Sequence, residues 1–119
     1  MSPLIFVGID VSLTRLDMAI RPGASSSHAH DESAIATVVE QLRALSPTLI
    51  VLEATGGMEI PLTSALATAG LPVVVVNPRQ VRDFAKASGQ LAKTDALDAQ
   101  VLAQFAERSE ERRVGKECA

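Results

Sequence analysis

The sequence predicts an α/β fold in which a mixed β-sheet of about five strands carries helices on both faces. The 119-residue chain is 47% hydrophobic but only 3% aromatic, which suits one domain with an aliphatic core. Residues 4–30 read as strands that follow one another directly, whereas the remainder alternates between strands and helices. An antiparallel opening followed by such alternation is typical of a mixed sheet.

The opening of the chain predicts a hairpin. Residues 4–10 are too few and too rich in branched apolar side chains for a helix, so they are expected to form a strand that ends in a carboxylate. Residues 16–20 alternate between apolar and polar or small side chains, as in a half-buried second strand, and residues 11–15 are expected to turn. Residues 22–30 have the composition of a loop, with room for a short third strand.

Helices and strands alternate after this hairpin. Asn77 followed by Pro78 has the form of a helix cap and a first helical residue. The four valines of residues 73–76 predict a strand in the middle of the sheet, covered on both faces. In order, we expect a helix over residues 31–45, a strand over 48–53, a helix over 59–69, a strand over 73–76, a helix from residue 78 and a last helix over 94–108.

One domain is predicted over residues 1–108. Residues 109–119 have lost the apolar period and resemble translated adapter sequence, so we expect a disordered or non-native tail. A single cysteine, Cys118, excludes an internal disulfide and a cysteine-based zinc site. No apolar run reaches the roughly 18–20 residues that span a bilayer, and the first residues lack the pattern of a signal peptide. A cytoplasmic protein with no membrane partner is therefore expected.

Four carboxylates stand where the predicted elements would bring them together. Asp10 and Glu53 end two apolar strands, and Asp95 and Asp98 lie three residues apart on one face of the last predicted helix. If the two strands are adjacent and parallel, their last residues meet at the same edge of the sheet, within reach of that helix. Like charges gathered in this way repel each other unless protons or cations intervene. The alternative is that the first two acids merely end strands while the aspartate pair is solvated.

Carboxylate oxygens are hard ligands, which favours Mg²⁺ or Mn²⁺. Two such ions about 3.5–4 Å apart can activate the attacking oxygen and stabilise the leaving oxygen during phosphoryl transfer. The sequence therefore predicts a site for two ions that cleaves or joins phosphodiester bonds, with Asp10, Glu53, Asp95 and Asp98 as its ligands.

Four segments carry a resemblance to a known family. They are GIDVS at residues 8–12, LEATGG at 52–57, VNPRQVR at 76–82 and KTDALDA at 93–99. These segments resemble the DEDD transposases of the insertion-sequence-one-ten family, and the resemblance spans residues 4–108. Met58 stands where an aromatic residue is expected, a departure that concerns packing rather than metal binding.

The resemblance implies a ribonuclease-H-like fold, similar to that of RuvC-type junction resolvases, with the family's four acidic positions at Asp10, Glu53, Asp95 and Asp98. It also implies a DNA transposase whose intact form is a homo-oligomer. In that form a second, serine-bearing domain follows, and a structured guide RNA pairs with target and donor DNA. Because this chain stops before such a domain, we expect a fragment that is inactive on its own.

Cationic residues precede the aspartate pair. Arg79, Arg82, Lys86 and Lys93 are predicted to contact the backbone of a nucleic acid, because spaced cations near a metal site hold phosphates in register. The alternative is an ordinary solvated helix face. The net charge of -3 is unusual for a DNA-binding protein, but metal ions bound to the four carboxylates would change that balance.

Three other functions remain as alternatives. Actin-like ATPases and sugar kinases share the opening strand with its glycine and aspartate, but residues 11–14, VSLT, lack the glycine of their phosphate loop. A junction-resolving nuclease could use the same acids. A non-catalytic fragment could bind nucleic acid or form oligomers.

Overall fold

The structure is a computed structural model, and it describes residues 4–87 and 98–118. In this part of the chain, strands and helices follow one another much as the sequence predicts. They are β1 Phe6–Val11, β2 Arg15–Arg21, β3 Ser25–Ala29, α1 Glu32–Leu45, β4 Leu49–Glu53, α2 Ile60–Thr68, β5 Val73–Val76, α3 Pro78–Ala87 and α4 Ala99–Cys118.

The five strands form one mixed sheet in the order β3-β2-β1-β4-β5. β1 pairs antiparallel with β2 and parallel with β4, and β4 pairs parallel with β5. The predicted mixed sheet is therefore confirmed, including the adjacent and parallel arrangement of the strands that carry Asp10 and Glu53. The segment with loop composition contains the third strand, β3, which pairs antiparallel with β2.

Helices cover both faces of the sheet, and successive side chains of each strand point to opposite faces. On one face, Ile9 of β1 belongs to a buried cluster with apolar residues of α1 and α2. On the other face, Phe6 of β1 and Val51 of β4 belong to a cluster with residues of α3 and α4. By the same alternation, Asp10 shares the face of Phe6 and Glu53 shares that of Val51. Both acids therefore belong to the face that α4 covers.

β5 lies at the edge of the sheet, so the expectation that it lies in the middle was wrong. Val74 and Val75, which point to opposite faces, are 44% and 39% exposed. β1 occupies one side of β4, so the crossover through α2 adds β5 on the other side. No later strand among the described residues covers it. A run of valines thus indicates an apolar strand but not its position in the sheet.

α4 continues to Cys118, whereas we expected a disordered or non-native tail over residues 109–119. Glutamate and arginine, which occupy residues 110–113, favour helix even where the apolar period is lost. The backbone therefore differs from the expected disorder, while the domain limit at residue 108 and the non-native origin of the tail stay predictions. Among the described helices, none is both long enough and apolar enough to cross a membrane.

α4 lies directly against β1 at Gly8. A Cβ atom at this position would lie 2.3 Å from the carbonyl oxygen of Ala99, 2.4 Å from the backbone nitrogen of Ala103 and 2.7 Å from Cβ of Leu102. Ala19, opposite Gly8 on β2, forms a buried cluster with the two alanines of α4. The missing side chain at Gly8 therefore lets the first turns of α4 rest on the sheet, close to the predicted acids.

Candidate active site

Three of the four predicted acids lie in the described part of the chain. Asp10 is the next-to-last residue of β1, Glu53 is the last residue of β4, and Asp98 immediately precedes α4. Asp10 and Glu53 directly follow Ile9 and Leu52, which are partners in the parallel ladder. The sheet topology therefore brings the two acids to the edge of the sheet that is formed by the carboxyl ends of β1 and β4. They lie there beneath α4, which begins directly after Asp98.

The helix that follows Asp98 holds this residue in place. Asp98 Oδ1 accepts a hydrogen bond from the backbone N–H of Val101 at 3.0 Å, and its carbonyl oxygen accepts one from the N–H of Leu102 at 3.1 Å. This is the geometry of a helix N-cap, so the expectation that Asp98 lies inside a helix beginning at residue 94 was wrong: Asp98 precedes α4, which begins at Ala99. Asp95 and Lys93 lie outside the described residues, and their roles stay predictions.

Charged groups act on one another at this edge of the sheet. The pKa of Asp10 is raised above its ordinary value of 3.8, first by burial and then by the carboxylates of Asp17 and Asp98. The pKa of Glu53 is raised above its ordinary value of 4.5, first by burial and then by Asp10, while the Arg82 guanidinium lowers it. Asp10 therefore lies at the centre of a group of mutually repelling carboxylates, and Arg82 borders that group.

The donor atoms at this edge are carboxylate oxygens, which suit Mg²⁺ or Mn²⁺. Within residues 4–87 and 98–118, no group of three or more His, Cys, Asp or Glu side chains is arranged so that it could hold a metal ion. Asp10 instead interacts with Glu53 and with Asp98 as separate pairs. The donor type fits a divalent cation, but the described acids do not form a closed ligand set by themselves.

A further carboxylate, Asp17, lies opposite Asp10 on β2 and was not predicted as part of the site. Arg15 Nη2 donates a hydrogen bond to Asp17 Oδ1 at 3.0 Å, and Ser27 Oγ donates to the same atom. These bonds, above all the one from Ser27, hold the pKa of Asp17 below its ordinary value. The sequence contained the signal, because Asp17 is a polar position of the alternating strand that pairs with β1 in the hairpin.

Glu59 orders the loop that follows Glu53, and it was also missed. Its Oε1 atom accepts hydrogen bonds from the backbone N–H of Thr55 at 2.9 Å, from Thr55 Oγ1 at 3.1 Å and from the N–H of Gly57 at 3.1 Å. These bonds, above all the one from the Thr55 backbone, lower the pKa of Glu59, which is buried. Gly56 and Gly57 have φ values of 74° and 109°, which favour glycine. A buried carboxylate thus fixes the chain just beyond Glu53.

The predicted cations of α3 lie on its exposed face. Arg79, Arg82 and Lys86 are exposed, and the opposite side of the helix is buried. Asn77 caps this helix, as predicted, because its Oδ1 atom accepts a hydrogen bond from the backbone N–H of Arg79 at 2.8 Å. Since Arg82 acts on the pKa of Glu53, the cationic face borders the carboxylates.

The backbone is similar to that of two proteins solved with Holliday junctions. T. thermophilus RuvC in complex with Holliday junction substrate is 18% identical over 86% of this chain and 87% of that chain, with a TM-score of 0.53. The fowlpox virus resolvase in complex with substrate Holliday junction DNA is 16% identical over 93% of this chain and 99% of that chain, also with a TM-score of 0.53. These likenesses show a ribonuclease-H-like, RuvC-like fold, as the sequence predicts.

A third similar structure is the inorganic polyphosphate/ATP-glucomannokinase from Arthrobacter sp. strain KM. It is 17% identical over 79% of this chain and 52% of that chain, with a TM-score of 0.52. At this identity the likeness again shows the fold alone, which the two kinds of protein share.

The sequence identifies the family to which this chain belongs. The family model for DEDD transposases of the insertion-sequence-one-ten group, described as "Transposase", matches residues 7–116. The chain therefore belongs to this transposase family, as its motifs predict. No curated protein matches the sequence.

Proposed function

We propose that this chain is the catalytic domain of a DEDD-type DNA transposase that cleaves phosphodiester bonds and transfers DNA strands. Asp10, Glu53, Asp95 and Asp98 would hold two Mg²⁺ or Mn²⁺ ions. One observation carries the proposal: in a member of a transposase family, the three described acids lie at a single edge of the sheet, on the face covered by α4.

The electrostatics of this edge support the proposal. Burial and mutual repulsion raise the pKa values of Asp10 and Glu53, so divalent cations would relieve a repulsion that is built into the fold. When bound, such ions would supply activation of the attacking oxygen and stabilisation of the leaving oxygen. The chain's own residues would bind and orient the metal ions and the DNA. The acids would hold the metal ions, and the exposed arginine and lysine side chains of α3, of which Arg82 lies near Glu53, would hold the DNA backbone.

DNA is the proposed partner, in line with the Holliday junction DNA present in the two similar structures. By family resemblance, the intact enzyme would also bind a structured guide RNA and work as a homo-oligomer with a second domain. The chain alone would then be inactive, although it would still bind metal and DNA.

A junction-resolving nuclease is the second candidate. The likeness to T. thermophilus RuvC and to the fowlpox virus resolvase favours it, but the family match favours a transposase. Cleavage of four-way junctions by the chain alone, without strand transfer by any longer form, would decide for the resolvase. DNA binding without cleavage in every form would leave the non-catalytic alternative.

Magnesium should stabilise the domain against unfolding. An ion that binds only the folded state adds about 2.7 kcal/mol when its concentration is 100-fold above Kd, which raises the melting temperature of a domain of this size by roughly 10 °C. Thermal melts with EDTA and with millimolar MgCl₂ measure this rise, and NaCl at equal ionic strength should not reproduce it. If the melting temperature is the same in EDTA and in MgCl₂, both for the free protein and for the protein bound to DNA, the two-metal site is contradicted.

Asp10→Asn tests whether the charge of Asp10 destabilises the metal-free domain at neutral pH. The folded pKa of Asp10 lies above its ordinary value of 3.8, so the folded state binds more protons in the window between the two values. Stability is therefore lost as pH rises through that window, and the cost persists at neutral pH. Asp10→Asn should raise the melting temperature of the metal-free protein at neutral pH and remove most of the magnesium response. Asp31→Asn, at the N-cap of α1, is the matched control and should change neither.

Removing a cation from α3 should weaken DNA binding equally for all sequences. Each phosphate contact contributes about 0.9 to the slope of log K against log salt concentration. Arg82→Ala and Lys86→Ala should each lower that slope by about 1, as measured by fluorescence anisotropy over a salt series. Arg43→Ala removes an exposed cation from α1 and should leave the slope unchanged. An unchanged slope in all three variants would show that the exposed face of α3 is an ordinary solvated helix face that does not contact DNA.

A further inference from the structure

An open cleft lies beside the carboxylates, between β2, β3 and the start of α4. It has a volume of about 390 Å³, and Asp17, Ser25, Ser27, Asp98 and Gln100 contribute to its lining. Clefts that hold small molecules have volumes of about 300–1,000 Å³, so this one is large enough for a single nucleoside.

The cleft is continuous with the proposed active site. Asp17 lies opposite Asp10 in the β1–β2 ladder, and both Asp17 and Asp98 raise the pKa of Asp10. In the sheet order, the cleft is on the β2–β3 side of Asp10, whereas Glu53 and the cations of α3 are on the β4–β5 side. A DNA strand whose phosphate lies at Asp10 would thus have cations on one side and the cleft on the other.

The lining of the cleft suits a base and a sugar rather than a phosphate. Two carboxylates, Asp17 and Asp98, are among its described lining residues, and their charge disfavours an anion. Arg15, the guanidinium next to it, already donates to Asp17 and Ser27. The serine hydroxyls and the Gln100 amide can each donate and accept hydrogen bonds, which is the pattern that base edges require.

We propose that this cleft binds one unpaired nucleoside of the DNA strand next to the phosphate that is cleaved, with Ser25 and Gln100 contacting its base. The inference rests on the proposed function. Gln100 Nε2 donates to Ser25 Oγ, so this bond between two lining residues of the cleft joins α4 to β3. Both residues are exposed, and each can exchange this bond for one to a base.

The test compares two single-stranded oligonucleotides of equal length and charge, one of deoxythymidylate and one that is abasic throughout. Their affinities for the chain are measured by anisotropy with MgCl₂ at low ionic strength. The unsubstituted chain should prefer the oligonucleotide with bases by about 10-fold, since one well-formed base contact is worth about that factor. Gln100→Ala should lose most of the preference and keep the salt slope, because no phosphate contact is removed.

Gln41→Ala is the matched control, since Gln41 is an exposed glutamine of α1, on the other face of the sheet. It should keep the preference. Ser25→Ala should reduce it, and thermal melts confirm that each variant is folded. If the unsubstituted chain and Gln100→Ala show an equal preference and normal salt-dependent binding, the proposal for the cleft is overturned while the proposed DNA binding stands. If neither oligonucleotide binds in a salt-dependent manner, both the cleft and the proposed DNA-binding function are overturned.

Discussion

Asp10→Asn and Asp98→Asn should each abolish DNA strand cleavage by a transposase that contains this domain. Each change removes a proposed metal ligand while keeping the size of the side chain. Removing a residue that hydrogen-bonds to a metal ligand costs about 10–100-fold in metal affinity or activity, and removing the ligand itself should cost more. Single-turnover cleavage of a DNA substrate in MgCl₂ measures the loss.

Asparagine is the informative replacement at Asp98 because this residue caps α4. Alanine would remove the cap and destabilise the domain by about 0.5–2 kcal/mol, whereas asparagine caps as well as aspartate. Asp31→Asn makes the same change at the cap of α1, where Oδ1 accepts from Ala34 at 2.8 Å. The control should cleave at the normal rate. Normal cleavage by both site variants would show that the chemistry resides elsewhere.

Gly8→Ala should destabilise the domain strongly. The new methyl group would lie 2.3 Å from Ala99 O and 2.4 Å from Ala103 N, and backbone atoms cannot rotate away. Overpacking of a buried site usually costs about 1–3 kcal/mol, and we expect this change to reach or exceed the upper value. Urea unfolding followed by circular dichroism measures the loss. Relief of this clash requires α4 to move away from β1, and such a movement would carry Asp98, which immediately precedes α4, away from Asp10.

Gly70→Ala separates this steric effect from the general cost of replacing a glycine. Gly70 has a φ of 79°, but a Cβ atom there would meet nothing within 4 Å. Its replacement should therefore cost only backbone strain, of order 1 kcal/mol. If the two variants are equally stable, α4 does not rest on β1 as described.

Local patterns predicted the elements well because most of them depend on neighbouring residues. Asp31 caps α1 and Asn77 caps α3, each through a bond to a nearby backbone N–H. The position of β5 depends instead on which strand edge is free after β4 is placed. Val74 and Val75 carry no information on that point, and this is why the sequence suggested a central strand.

Asp10 and Glu53 could be located from the sequence because strand ends are visible in it, whereas the placement of Asp95 beside Asp98 stays a prediction. Asp10 and Glu53 end neighbouring parallel strands, as the topology required. The long-range partners were missed: Asp17 enters through the hairpin register, and Glu59 enters through a loop that folds back on it. The close approach of α4 at Gly8 could not be predicted either, because it joins residues more than ninety positions apart only in the folded chain.

The route of the chain to its active site also determines when that site can exist during protein synthesis. Ribosomes release the amino-terminal part first, at about 5–20 residues per second. All five described strands precede α4, so Asp10 and Glu53 are synthesised before Asp98. The proposed ligand set stays open until α4 has settled on Gly8. A nascent chain that has not yet reached α4 would therefore lack Asp98, and with it any cleavage that depends on this proposed ligand.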